Sequence, residues 1–144
     1  MPLLHDAGAS IKQRIESLTP TSPRQWGKMS PDQMLWHVNQ AMEMAIGSYR
    51  SSAAAPPLPR WLMKLILLKL PWPKGAPTGP DFVARQEYDF GEQRLRALRL
   101  VEELMRKPID GPWPKNPVVG PLTGREWSHL MHKHLDHHLR QFAS

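Results

Sequence analysis

Five of the seven histidines lie within ten consecutive positions near the C-terminal end, in the stretch HLMHKHLDHH (129–138). Neutral imidazoles bind transition metals and also act as general bases near neutral pH. Apolar residues are interleaved with these histidines, whereas a purification tag is an uninterrupted run outside the folded pattern. The stretch is therefore typical either of a metal site on a helix or of a solvated basic face.

A helical projection divides these five histidines into two groups. Residues three, four, seven and eleven positions apart share one face of an α-helix. From Trp127 onwards, that face carries His134, His138 and Gln141. Two imidazoles one helical turn apart can bind the same ion. The remaining three lie outside the stripe and are predicted to be solvated surface residues: His129, His132 and His137.

A metal site needs a third ligand, because catalytic metal sites usually take three protein ligands. His37 lies at the edge of the apolar stripe of an earlier helix, in the stretch MLWHVNQAMEMAIG. A lone histidine there is more often a hydrogen-bonded core residue, and such a polar core is the alternative for all three. Because burying three imidazoles is costly unless their lone pairs are accepted, we predict a metal site of His37, His134 and His138.

Gln141 stands one turn beyond His138 and has two interpretations. It is either a hydrogen-bond partner that orients the ligand or a cap for the end of the helical bundle.

The elements that must position these residues are helices. Fifteen of the sixteen prolines lie at 20–31, 56–80 and 108–121, and they separate four segments of helical periodicity. No strand-like alternation of useful length competes. We predict an all-α protein, a four-helix bundle, with residues 1–144 forming a single domain.

Three of the four helices begin with a capping signal, and the bounds follow from these signals. The first helix is expected around Ser10 to Leu18 and has no such signal. The third is expected to carry an apolar stripe of Leu95, Leu98, Val101 and Met105 and to stop before Pro108. The capped starts are Ser30 with Pro31 and Gln33, Asp89 with Glu92, and Thr123 with Glu126. The helix that starts at Ser30 is expected to end at Gly47.

Composition limits the partners and the compartment. The chain has no cysteine, so any metal must be held by nitrogen or oxygen ligands. The basic residues behind the net charge of +6 are scattered, which disfavours nucleic acid and suits a small, anionic molecule. The N-terminal stretch has no apolar run of signal-peptide length, so a cytoplasmic protein is expected, with no membrane partner.

An apolar segment, LPRWLMKLILLKLPWP (58–73), lies between the first and second capped helices. It overlaps the proline-rich stretch from Trp61 to Pro80. It is too short to cross a bilayer, which takes about 20 apolar residues. Three alternatives stand: burial against the bundle or in the subunit interface of a homodimer, a membrane-surface anchor, or a lid over a site.

The stretches WGKMSPDQMLWHVNQAMEMAIG and HLDHHLRQF together resemble the DinB/YfiT-like superfamily of four-helix metalloproteins, over most of the chain. The resemblance implies a divalent metal, commonly zinc or nickel, on His37, His134 and His138, with Gln141 three residues after the last ligand. Some members of that superfamily are thiol S-transferases or isomerases that use low-molecular-weight thiols.

Two functions therefore stand open at this point. The first is a divalent-metal-dependent enzyme, a thiol S-transferase or a small-molecule hydrolase, whose catalytic residues are unassigned. The second is a non-catalytic bundle for binding or dimerisation with a vestigial or structural metal. Peptidase chemistry is disfavoured, because the helix lacks the glutamate of His-Glu-x-x-His and Asp136 points away from the stripe.

Overall fold

The regular secondary structure of the described part of the chain consists of α-helices. The computed structural model describes residues 1–51, 56–75 and 82–144, and these ranges contain five helices and no strand. One isolated bridge joins Asn116 and Gly120. The all-α prediction is confirmed. The helices are α1 (Leu4–Ser17), α2 (Pro31–Ile46), α3 (Arg60–Lys69), α4 (Phe90–Arg106) and α5 (Gly124–Arg140).

The four longer helices contact one another in the cyclic order α1, α4, α2, α5, and α3 packs on α5. Their apolar stripes form one core, in which Trp127 is fully buried. The Trp127 indole N–H donates to the Pro114 carbonyl oxygen at 2.9 Å, so burial leaves this donor paired. None of the described helices is long and apolar enough to cross a lipid bilayer.

Local sequence signals fix the starts of the two helices that carry the candidate ligands. At α2, the Ser30 N–H donates to Gln33 Oε1 at 3.1 Å. At α5, Thr123 and Glu126 form a reciprocal capping box: the Glu126 N–H donates to Thr123 Oγ1, and the Thr123 N–H donates to Glu126 Oε1. These caps satisfy N–H groups that a helix start leaves unpaired, as the sequence predicted.

The expected start of α1 near Ser10 is wrong, since the helix begins at Leu4. Its buried face continues back through Gly8 to Leu4, at the spacing of helical turns. Glycine usually counts against a helix, which hides this turn in the sequence. Gly8 lies directly against the Met105 side chain of α4, which would have to shift to make room for a Cβ.

The expected apolar stripe of α4 is wrong only at Leu95, since Val101 is buried and Leu98 and Met105 pack against the core. Leu95 is 58% exposed, whereas the buried positions are Gln93, Ala97, Leu100, Val101 and Leu104. Because α4 packs against both α1 and α2, its buried face is centred between two neighbours. Leu95 falls on the opposite side and remains in solvent.

Helix α3 is only half covered by the rest of the chain. Leu68 is buried and Met63, Leu67 and Trp72 pack against the core, whereas Trp61 remains 69% exposed. The bundle therefore covers only the inner side of this segment, and burial of its outer side in a subunit interface stays a prediction. The predicted region from Trp61 to Pro80 also includes residues 76–80, which lie outside the described residues.

We expect the start of α5 to be sensitive to a single methyl group. A Cβ at Gly124 would overlap the carbonyl oxygen of Ile109 and approach Trp113 Nε1 to 2.5 Å. Gly124→Ala should therefore lower the free energy of unfolding by about 2 kcal/mol or more, despite its better helix propensity. Chemical denaturation measures this. Gly91→Ala, at a helical glycine whose Cβ has ordinary contacts, is the control and should be neutral or stabilising.

Candidate metal centre

The structure brings three histidines from two helices to one point. His134 and His138 lie one turn apart on α5, and His37 faces them from α2. Their Nε2 atoms converge: His37 Nε2 is 2.9 Å and His138 Nε2 is 3.1 Å from His134 Nε2. Among the described residues, these three form a group whose geometry is suited to a metal ion. His37 and His138 are buried and His134 is partly buried.

The outer ring nitrogens fix the tautomers of two of these histidines. His37 Nδ1 lies 2.8 Å from the Phe82 carbonyl oxygen, and His138 Nδ1 lies 2.8 Å from Gln141 Oε1. Both oxygens only accept hydrogen bonds, so each Nδ1 carries the proton. In the neutral ring, each Nε2 then presents an unprotonated lone pair to the convergence point.

Hydrogen bonding among the three rings leaves this cluster unsatisfied. His134 Nε2 carries at most one proton, so it can donate to only one of the two facing lone pairs. The other lone pair then has no hydrogen-bond donor. Leaving a buried acceptor unpaired in this way costs free energy. A cation accepts all three lone pairs at once.

The spacing also fits a small transition-metal ion. Nitrogen ligands at about 2.0–2.1 Å from a tetrahedral zinc ion lie roughly 3.3 Å apart. The observed Nε2 separations of 2.9 and 3.1 Å are close to that value. All three ligand nitrogens lie within 4.8 Å of one another, so side-chain adjustment would bring them onto one ion.

Burial keeps all three imidazoles in the form that binds metal. It lowers the pKa of His37, and it lowers the pKa of His138 to about 3, with the neighbouring His37 adding to the effect. Burial, together with repulsion from His138 and His37, holds the pKa of His134 well below its usual value. The three rings are therefore neutral at pH 7, and their lone pairs are available.

Carboxylates are absent from this cluster of described residues, and the nearest one in sequence is turned away. The Asp136 carboxylate accepts from Arg14 at 2.9 Å and pairs with Arg140 on its own helix. These arginines, with hydrogen bonds from both, lower the pKa of Asp136 against the opposing effect of burial. Its orientation agrees with the sequence interpretation, in which Asp136 points away from the stripe of ligands.

Aromatic rings surround the triad. The Trp72 ring lies 5.8 Å from that of His134, and the Phe82 ring lies 6.3 Å from that of His37. His137 is half-buried between Trp72 and Trp26, with its ring 5.1 Å from that of His138. The sequence predicted that His137 is a solvated surface residue. That prediction is wrong, because His137 forms part of this aromatic wall.

Two ammonium groups lie over the tryptophans of this wall. Lys74 Nζ is 4.8 Å from the centre of the Trp26 ring, and Lys133 Nζ is 5.0 Å from that of Trp72. Each is within the range of a cation–π interaction. The surroundings of the triad therefore combine apolar surface with positive charge.

His129 is not the solvated residue that the helical projection predicted. It is buried, with Nδ1 2.9 Å from the Pro2 carbonyl oxygen and Nε2 3.0 Å from that of Leu68. The prediction fails because the N-terminal segment and α3 cover a second side of α5. The sequence signal for this contact is weak, since the partners are backbone oxygens distant along the chain.

Sequence reasoning missed the aromatic wall and the orienting Phe82 carbonyl, each for a different reason. Trp26 and Trp72 stand in the proline-rich connections, where no periodicity assigns them to a face. The Phe82 carbonyl is a backbone group, which any residue type would supply. Gln141, in contrast, was singled out, and its Oε1 lies where a ligand-orienting partner must lie.

A model of the family described as "Protein of unknown function (DUF1569)" matches residues 1–144. No match was found among curated proteins or among solved structures. The resemblance to the DinB/YfiT-like superfamily therefore stays a prediction.

The neutral triad predicts that the metal-free protein loses stability in mild acid. The unfolded chain binds protons on these histidines below pH 6.5, whereas the folded state resists protonation down to about pH 3 at His138. With chelator present, the free energy of unfolding should fall with decreasing pH, by about 1.4 kcal/mol per pH unit for each such histidine. Denaturation series between pH 7 and 5 measure this slope. His138→Gln should reduce the slope, and an unchanged slope would contradict the protonation states inferred here.

Proposed function

The chain belongs to the DUF1569 family, and we propose that it binds a divalent metal ion through Nε2 of His37, His134 and His138. The convergence of three neutral imidazole nitrogens, with no set of protons that pairs them all, carries this proposal. A hydrogen-bonded polar core would leave one of these lone pairs unpaired, so the metal site explains the geometry better.

Zinc or nickel is the ion that we propose for this site. Imidazole suits zinc, copper, iron and nickel, whereas calcium and magnesium require oxygen ligands, which this group of described residues lacks. Gln141 and the Phe82 carbonyl would orient His138 and His37 through their Nδ1 protons. Outer hydrogen bonds of this kind fix the ring orientation and raise the basicity of the ligating nitrogen.

A metal-dependent enzyme that acts on a small anionic molecule is the function that we propose. A divalent ion on three neutral ligands would lower the pKa of a water molecule or thiol that it binds, which supplies a nucleophile at neutral pH. Trp26, Trp72 and His137 would hold the apolar part of the substrate and restrict water. Lys74, over Trp26, would attract an anion to the same place.

A low-molecular-weight thiol is the substrate class that fits these features best, and a hydrolysable small molecule is the second. The alternative function is a non-catalytic helical module with a structural metal. It is favoured by the engagement of Asp136 with two arginines, because no carboxylate of the described residues is then free beside the triad to act as general base.

The fold proposal follows from the same helices. We propose that α1, α2, α4 and α5 form a four-helix bundle of the DinB/YfiT-like kind, with α3 added in the connection between α2 and α4. Their cyclic contacts and the placement of the triad on α2 and α5 support this proposal.

Metal affinity should depend on the triad and not on neighbouring histidines. We expect His134→Ala and His138→Ala each to weaken zinc binding by about 100-fold or more, since outer-partner changes alone cost 10–100-fold. Competition with a chromophoric chelator at neutral pH measures the affinity, and circular dichroism shows whether each variant is folded. His132→Ala, on the same helix but outside the group, is the matched control. Equal loss in the control would overturn the ligand assignment.

Thiol binding distinguishes the enzyme from the structural module. The nickel-loaded protein should develop a thiolate-to-nickel absorption band when titrated with low-molecular-weight thiols, because the triad leaves ligand positions free. His37→Ala should lose this band, and His132→Ala should keep it. A loaded protein whose spectrum is unchanged by thiols would exclude the thiol proposal and favour the structural metal.

A further inference from the structure

Most of the net positive charge lies in the connection that contains α3, because this connection has no acidic residue, although its basic residues are about as dense as elsewhere. Residues 44–80 include five basic residues and no acidic one, while the whole chain has 19 and 13. The rest of the chain therefore has 14 basic and 13 acidic residues, and five of the six net charges belong to this connection. The five basic residues are Arg50, Arg60, Lys64, Lys69 and Lys74.

The same connection exposes large apolar side chains. Trp61 is 69% exposed, Leu65 is 41% exposed, and Leu58 and Leu70 are 47% and 45% exposed at the two ends of α3. Trp61, Leu65 and Lys69 follow the spacing of one helical side, which we call the outer face of α3. Among the described residues, no partner pairs with the Lys69 ammonium group on this face.

Contacts on the inner side hold this face outward. The Lys133 ammonium group donates to the Leu67 carbonyl oxygen at 2.8 Å and to that of Leu70. His129 contacts the Leu68 carbonyl oxygen, and Lys64 pairs with Glu126 at 2.8 Å. These bonds tie both halves of α3 to α5, so the outer face is preformed and does not fold back onto the core.

We propose that the outer face of α3 docks on the surface of an anionic lipid bilayer. Trp61 and Leu65 would enter the boundary between headgroups and acyl chains, and the Lys69 ammonium group would face lipid phosphates. An apolar helical side flanked by lysines and arginines is the composition of helices that lie in this interface. This peripheral contact replaces the sequence expectation of no membrane partner and does not depend on the metal site.

Charge and side-chain type favour lipid over two other occupants. A second copy on a two-fold axis would place the same cations opposite each other, with no acidic residue in the connection to pair them. A nucleic acid would match the charge, but aliphatic leucines neither stack on bases nor contact phosphates. Lipid accommodates both the leucines and the cations.

Vesicle flotation tests this proposal on the full chain. The protein should bind vesicles of equal parts phosphatidylcholine and phosphatidylglycerol and bind phosphatidylcholine vesicles much more weakly, with the difference reduced by salt. Trp61→Ser should weaken partitioning by about tenfold or more. Lys69→Gln should weaken it by about fivefold, the equivalent of about 1 kcal/mol for one cation at an anionic surface.

Two exposed positions outside the connection serve as matched controls. Leu95→Ser removes an apolar side chain that is 58% exposed on α4, and Lys115→Gln removes an exposed cation. Both should leave partitioning unchanged. Absence of binding to the anionic vesicles, or equal losses in the controls, would overturn the proposal. So would a dimer in sedimentation that Trp61→Ser converts to monomer, or binding confined to a single-stranded oligonucleotide.

Discussion

The candidate site depends on one constraint: the Nδ1 protons of His37 and His138 are held from outside by oxygen acceptors. The Phe82 carbonyl and Gln141 Oε1 fix these protons on the outer nitrogens, so both inner nitrogens present lone pairs to His134. Reversing either tautomer would replace an inner lone pair by an N–H group, which cannot bind a cation. The assignment of a metal site therefore rests as much on these two oxygens as on the histidines.

The ends of α2 and α5 help to fix where the three histidines lie. The Thr123 cap and the close approach of Gly124 to the Ile109 carbonyl fix where α5 begins, and hence where His134 and His138 point. Gly47, with a φ of 100°, ends α2 in the left-handed conformation that glycine adopts without strain. The core thus sets the register of the two ligand-bearing helices, and the site adds polar groups where the stripes meet.

Sequence reasoning succeeded where the cause was local and failed where it was tertiary. The caps of α2 and α5 and the pairing of His134 with His138 on one face follow from residues within a few positions of each other. The burial of His129 depends on Pro2 and α3, and the exposure of Leu95 depends on how two helices meet α4. A helical projection of one helix does not show which other segments pack against it. The aromatic wall and the second covered side of α5 therefore became visible only in the tertiary structure.

Long-range proton–nitrogen NMR correlation of the histidine rings tests the central claim most directly, because it identifies the protonated nitrogen of each ring. The account predicts that His37 and His138 carry their proton on Nδ1 with or without zinc. Zinc should shift the Nε2 resonances of all three rings, His134 included. Protons on Nε2 of His37 or His138 in the metal-free protein, or zinc shifts confined to Nδ1, would contradict it.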